Sequence, residues 1–198
     1  MNKEEHRDAV RIIEDVRESS LTFFSQQGHR FYGVLERTWK SLSAGGKILI
    51  FGNGGSASQA QHFAAELVNR FQKDRRPLAA LALTTDTSAL TSIANDASYD
   101  HVFRRQIEAL GKSGDVALGL STSGNSPSVV KAMETAREMG MVTVALTGRG
   151  GGRLAPIVDH HLEVPSAETP RIQEVHLLLL HLLAQGLEDN LARPTSTA

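Results

Sequence analysis

Apolar and polar positions change rhythm once along this chain. Over residues 4–43 apolar side chains recur at helical spacing, as at Ala9, Ile12, Ile13 and Val16, which predicts helix. Gln27-Gly28 interrupts the stretch, so two helices are expected, broken there. From residue 47 short β-rich runs alternate with helical stretches. Strands are expected at 47–52, 78–83, 116–120, 142–146 and 161–164, and helices at 56–70, 87–94, 101–110, 126–139 and 170–191. Alternating β and α elements imply an α/β fold, a parallel sheet with helices on both faces.

The last helix is apolar almost all round, with Leu177, Leu178, Leu179, Leu180, Leu182 and Leu183, and such a helix is usually buried. The N-terminal helices also exceed what one small sheet needs. Both features predict subunit packing. The organisation expected is one domain over 1–198: N-terminal helices at 1–43 used between subunits, a core at 44–192, and a flexible polar tail at 193–198.

Composition narrows the function classes. The net charge of −1 gives no electrostatic reason to bind nucleic acid or an acidic membrane. The chain has no cysteine, which removes disulfides, thiolate metal sites and cysteine nucleophiles together. No apolar run approaches the roughly 18 residues of a membrane span, and the charged, amphipathic N-terminus does not read as a signal peptide. A cytoplasmic location is expected.

Two loops carry candidate chemistry. Gly52, Asn53, Gly54, Gly55 and Ser56 join the first strand to a helix, where glycines admit close backbone approach and the helix N-terminus offers free amides. Gly52-x-Gly54-x-x-Ala57 also satisfies the dinucleotide fingerprint, but that motif needs an acidic residue about 20 positions on, and the nearest candidate, Asp86, lies too far and follows Thr84-Thr85. The second loop, Ser121-Thr122-Ser123-Gly124-Asn125-Ser126-Pro127, places the hydroxyls of Ser121, Thr122, Ser123 and Ser126 before a helix. Ser126 suits the cap and Pro127 the first turn. Hydroxyls and amides converging at a helix N-terminus make a phosphate site that needs no lysine. Both loops follow parallel strands, where open α/β sheets bind ligands. Asn53 and Ser56 could then meet sugar hydroxyls, and the carboxylate of Asp96, in Asn95-Asp96, could accept from them.

Helical residues supply acid–base or metal-ligand types. His62 and Glu66 stand at i and i+4, on one helix face. The last helix adds Gln173, Glu174, His176 and His181. Histidine and carboxylate ligands suit zinc, with glutamine a weaker donor. Gln173 and His181 are eight residues apart, roughly 12 Å along a straight helix, so one metal would have to lie between them or draw on a neighbouring subunit. His160 and His161 read as structural.

The motifs GNGGS at 52–56, QHFAAEL at 61–67, AND at 94–96, STSGNS at 121–126, ALTGRGGG at 145–152 and RIQEVHLLLLH at 171–181 together resemble the sugar isomerase (SIS) domain family, in its branch that isomerises sedoheptulose 7-phosphate. The resemblance covers nearly the whole chain. It implies a five-stranded parallel flavodoxin-like sheet, a homotetramer with active sites between subunits, and conversion of sedoheptulose 7-phosphate to D-glycero-D-manno-heptose 7-phosphate, the first step toward activated heptose for surface polysaccharide. Position by position, His62, Glu66, Gln173 and His181 match ligands of one zinc ion per subunit, and Glu66 and His181 match an acid–base pair. Ser121, Thr122, Ser123 and Ser126 match the phosphate loop. Asn53, Gly54, Gly55, Ser56, Asn95 and Asp96 match sugar contacts, and Glu66 and Gln173 border the substrate. Gly150 stands where many members have aspartate, and Pro170 where some place an acidic contact. Two other readings within the family are a non-catalytic DnaA initiator-associating protein, from which Glu66 and His181 discriminate, and a phosphosugar sensor. On the isomerase reading Glu66 is the carbon base, His181 its partner, and zinc polarises the carbonyl.

Overall fold

The computed structural model describes residues 3–192; the tail expected at 193–198 lies outside them. Helix α1 (Lys3–Ser43) is followed by strand β1 (Ile48–Gly52), α2 (Gly55–Val68), β2 (Ala80–Ala82), α3 (Thr87–Asp96), a 3₁₀ turn (Tyr99–His101), α4 (Val102–Leu110), β3 (Val116–Ser121), α5 (Pro127–Glu138), β4 (Val142–Thr147), a second 3₁₀ turn (Ala155–Ile157), β5 (His160–Glu163) and α6 (Thr169–Ala192). Every strand pair is parallel, in the order β2-β1-β3-β4-β5. This is the five-stranded flavodoxin-like sheet expected. Among the described residues no helix is long and apolar enough to cross a membrane.

The first 41 helical residues form one helix, not the two expected. A glycine inside a helix costs roughly 1 kcal/mol against alanine, and packing outweighs that here. Phe23, Phe31 and Val34, on either side of Gly28, are all buried against the sheet. Gln27 has its own partner: its Nε2 donates to the Glu163 carbonyl at 2.7 Å and its Oε1 accepts from the Glu163 amide at 3.2 Å. One side-chain amide thus closes both main-chain groups of a residue on edge strand β5. At the other edge β2 is shorter than expected, because the Leu78 amide turns away to the Leu67 carbonyl at the end of α2.

Alternation along the strands divides the core. Ile48, Ile50, Val116, Leu118, Leu120, Val144 and Leu146 face α1, α2 and α6. Leu49, Phe51, Ala117 and Ala145 face the layer of α3, α4 and α5. Both faces of a parallel sheet are buried in this way. The sheet diverges between β1 and β3: the chain leaves β1 toward β2 on one side, while β3 leads on to β4 and β5 on the other. Ligands bind outside the carboxyl ends of strands at such a switch point.

His176 sits in the core on the inner face of α6, fully buried, and its Nε2 donates to the Thr147 carbonyl of β4 at 3.2 Å. Burial opposes its protonation and outweighs the bond to Thr147, pushing its pKa down to about 4. The unfolded chain takes up this proton below about pH 6.5, while the folded chain takes it up only near 4. Stability should therefore fall as pH drops from about 6.5 to about 4, by up to about 3 kcal/mol from this residue. Denaturant unfolding across that range should show the slope, and His176→Leu, which cannot titrate, should flatten it.

Candidate active site

Strand β1 delivers the glycine loop straight into α2. Gly54 occupies the position before the helix with φ 56°, a conformation that favours glycine. Ser56 is buried, and its amide and that of Ala57 bond back to the Asn53 and Gly54 carbonyls. The loop is narrow because α6 comes close: a Cβ added at Gly55 would lie 2.7 Å from Gln173 Nε2. Gln59, one turn into α2, donates its Nε2 to the Gln173 carbonyl at 2.6 Å.

Further along the same α2–α6 seam, His62 Nε2 and His181 Nε2 lie 2.8 Å apart, with the rings nearly edge to face. Glu66 Oε1 is 3.5 Å from His62 Nε2. His62 and Glu66, which spacing placed on one helix face, thus meet His181 of the last helix. They remain accessible: the His62 and Glu66 side chains are 45% and 22% exposed. Phe71, from the segment after α2, lies over the His181 ring at 5.6 Å between centroids.

The zinc expected at His62, Glu66, Gln173 and His181 is not supported. Among the described residues there is no group of three or more histidine, cysteine, aspartate or glutamate side chains that could hold a metal ion. Geometry gives the reason. Two imidazole nitrogens on one tetrahedral zinc lie roughly 3.3 Å apart, given bonds of about 2.0–2.1 Å. At 2.8 Å the two rings instead face each other as hydrogen-bond partners, one Nε2 carrying the hydrogen and the other accepting. Gln173 lies two turns back along α6 from His181, with its side chain beside Gly55. These residues do not fit the ion.

The hydroxyl loop after β3 is braced by the loop after β4. Gly148 donates its amide to the Thr122 carbonyl, and Leu154 to the Gly124 carbonyl, each at 3.0 Å. Gly124 has φ 65°, and a Cβ there would run into the Gly151 carbonyl. Asn125 links the two loops: its Nδ2 donates to the Ser123 carbonyl and its Oδ1 accepts from the Arg153 amide. Ser126 precedes α5 as expected, but its side chain does not cap the helix. Its Oγ pairs instead with Ser121 Oγ at 3.1 Å, so two of the four hydroxyls converge on one point.

Asn53, in the glycine loop, reaches out of it with its side chain. Its Oδ1 accepts from the Tyr99 hydroxyl at 2.8 Å and its Nδ2 donates to Ser128 Oγ at 3.1 Å. Neither partner was anticipated from sequence; Ser128 stood two residues past a capping serine, and nothing marked Tyr99. Asn95 and Asp96, expected after a helix, lie in the last turn of α3, exposed, with Asn95 Nδ2 donating to Asp96 Oδ1 at 2.9 Å. Asp86 is occupied as the cap of α3, its Oδ1 accepting from the Ala89 amide, which removes it as a ribose-binding carboxylate. His161 is structural, as expected: its Nε2 lies 2.7 Å from Thr147 Oγ1, and burial lowers its pKa more than neighbouring Glu163 raises it.

Comparison with known proteins places this geometry. Residues 13–148 match the SIS domain family. A phosphoheptose isomerase of Desulfovibrio desulfuricans is 53% identical over 179 residues, covering 90% of this chain and 82% of that protein. The structure of a phosphoheptose isomerase from Neisseria gonorrhoeae is similar at a TM-score of 0.87 and 44% identity, over 93% of this chain and 98% of that one. One from Francisella tularensis gives 0.89 and 32%, over 96% and 100%.

Gly124 is where the bracing of the hydroxyl loop is most sensitive. Gly124→Ala meets backbone, which cannot rotate away, and adopts a φ that side chains disfavour. It should lower stability by at least about 1–3 kcal/mol in denaturant unfolding.

Proposed function

Because the chain belongs to the phosphoheptose isomerases of the SIS domain family, we infer that it converts sedoheptulose 7-phosphate to D-glycero-D-manno-heptose 7-phosphate. Within the site, the observation that supports the assignment of roles is the contact of His62 with His181 beside Glu66, in the seam between α2 and α6. The hydroxyl loop at Ser121, Thr122, Ser123 and Ser126 binds the phosphate through hydroxyls and helix-end amides. Holding the far end of the sugar there orients its reactive end. Asn53, Gly54, Gly55, Ser56, Asn95, Asp96 and Gln173 contact the sugar.

The reaction moves one proton between carbons. Glu66 takes a proton from C1 of the ketose while the C2 carbonyl oxygen gains one from His181, giving a cis-enediol. The O1 hydroxyl then loses its proton as C2 gains one, leaving an aldehyde at C1 and a hydroxyl at C2. His181 serves both oxygens in turn. Glu66 returns its proton to C2 while His181 takes the proton from O1, so the pair regains its starting state without net uptake or release.

The same reading includes a homotetramer with sites between subunits, which supports a role for residues 1–43 in subunit packing. Val10, Ile13 and Leu21 on α1 and Leu178 on α6 are exposed in the single chain, and apolar side chains grouped on helices favour association.

Two measurements test this function. Glu66→Gln should lower turnover of sedoheptulose 7-phosphate by at least about a hundredfold, followed by NMR, while calorimetry shows the sugar phosphate still bound; turnover near the wild-type rate would reject the role of Glu66. Light scattering should give four times the 21.4 kDa chain mass, and a monomer would reject the assembly.

A further inference from the structure

We infer that the buried ion pair of Arg75 and Glu188 is a positioning element for the acid–base pair, holding the end of α2 that carries Glu66 and the ring that covers His181 against the helix that carries His181. The inference rests on the roles just assigned to Glu66 and His181.

Glu188 is 2% exposed, on the inner face of α6 beside the buried Leu187 and Ala184. Its carboxylate accepts from three successive main-chain amides, Phe71 at 3.2 Å, Gln72 at 3.0 Å and Lys73 at 2.9 Å, and from Arg75 Nε at 3.1 Å. The Arg75 side chain is itself 6% exposed. Its remaining nitrogens reach the last turn of α2: one donates to the Glu66 carbonyl at 2.7 Å and the other to the Leu67 carbonyl at 2.9 Å. Carbonyls at a helix end have no partner inside the helix, and a cation suits the negative end of the helix dipole. Lys73 adds an exposed ion pair to Asp189 on the same helix turn.

The consequences reach the site by two routes. Arg75 holds the main chain of Glu66 itself. Glu188 holds the main chain of Phe71, whose ring lies tilted 30° over His181. Glu188 follows His181 by seven residues, two turns along one face of α6. The clamp and the catalytic histidine therefore share one rigid helix, and the clamp sets both the carboxylate bearer and the histidine cover relative to it. Burying two charges is costly, and apolar packing serves stability as well or better. What the pair supplies beyond apolar packing is direction, eight bonds to defined main-chain and side-chain atoms. Burial works to raise the Glu188 carboxyl, but the amides of Lys73, Gln72 and Phe71 and the Arg75 guanidinium outweigh it and hold it below its ordinary value. Glu188 stays an acceptor throughout the range in which the enzyme would work.

The test compares Glu188→Gln with Phe71→Leu and Glu66→Gln in the full chain. Glu188→Gln should lower kcat about tenfold or more, with KM and the stoichiometry of sugar-phosphate binding within about twofold of wild type. The ring-proton NMR signals of His181 should lose the ring-current displacement that Phe71 imposes. Wild-type kcat with unmoved His181 signals would overturn the inference. So would a fall in kcat matched by an equal fall in binding stoichiometry, since that assigns the pair to stability alone. If Glu188→Gln does not fold, Phe71→Leu decides, because it leaves the ion pair intact: kcat should fall about threefold or more at unchanged KM, and an unchanged kcat overturns the inference. Turnover retained in Glu66→Gln would instead reject the acid–base reading beneath it. An inactive Glu66→Gln beside a fully active Glu188→Gln would remove the positioning role alone.

Discussion

The divergence of the chain at the carboxyl ends of β1 and β3 is the constraint on which the remaining features depend. Parallel strands require crossover helices, and those helices cover both faces of the sheet. In the order β2-β1-β3-β4-β5 the loops after β1 and β3 lie side by side, with nothing crossing between them. The glycine loop and the hydroxyl loop, 69 residues apart by their first members Gly52 and Ser121, become neighbours through this topology. Main-chain amides at two helix ends then point into one crevice.

The candidate acid–base residues belong to a different surface, the seam between α2 and α6. Both helices pack on the same face of the sheet, and their starts are joined by Gln59, Gln173 and Gly55. That joint fixes the height of one helix against the other, so that His62 meets His181 further along the seam. At the far end the seam is closed by Arg75 and Glu188. A seam tied at both ends leaves little freedom for the side chains between its ties, which is what a proton transfer over short distances requires.

The disagreement over zinc is instructive about resemblance. The residue types matched a ligand set, and three of the four come together. The separation of the imidazoles and the placement of Gln173 two turns away are those of a hydrogen-bonded pair and a loop contact instead. Residue identity carries the kind of donor available, while a ligand set also needs a common distance to one point.

Much of the fold was legible because its signals are local. Strand and helix periods, the two turn motifs and the apolar last helix each depend on residues within one turn or strand, and they led to the parallel sheet and to the two loops that follow β1 and β3. The break expected at Gly28 failed because its counterweight, the bond of Gln27 to Glu163, joins residues 136 positions apart. The partners of Asn53, the pairing of Ser121 with Ser126 in place of a helix cap, and the clamp on Glu188 were illegible for the same reason. A hydroxyl or a carboxylate has several possible partners of similar worth in an unfolded chain. Sequence alone established which chemical groups this protein carries and which element bears each of them. Which groups meet, and at what distance, came from packing, because only the folded chain removes water from a polar side chain and leaves it one neighbour to bond.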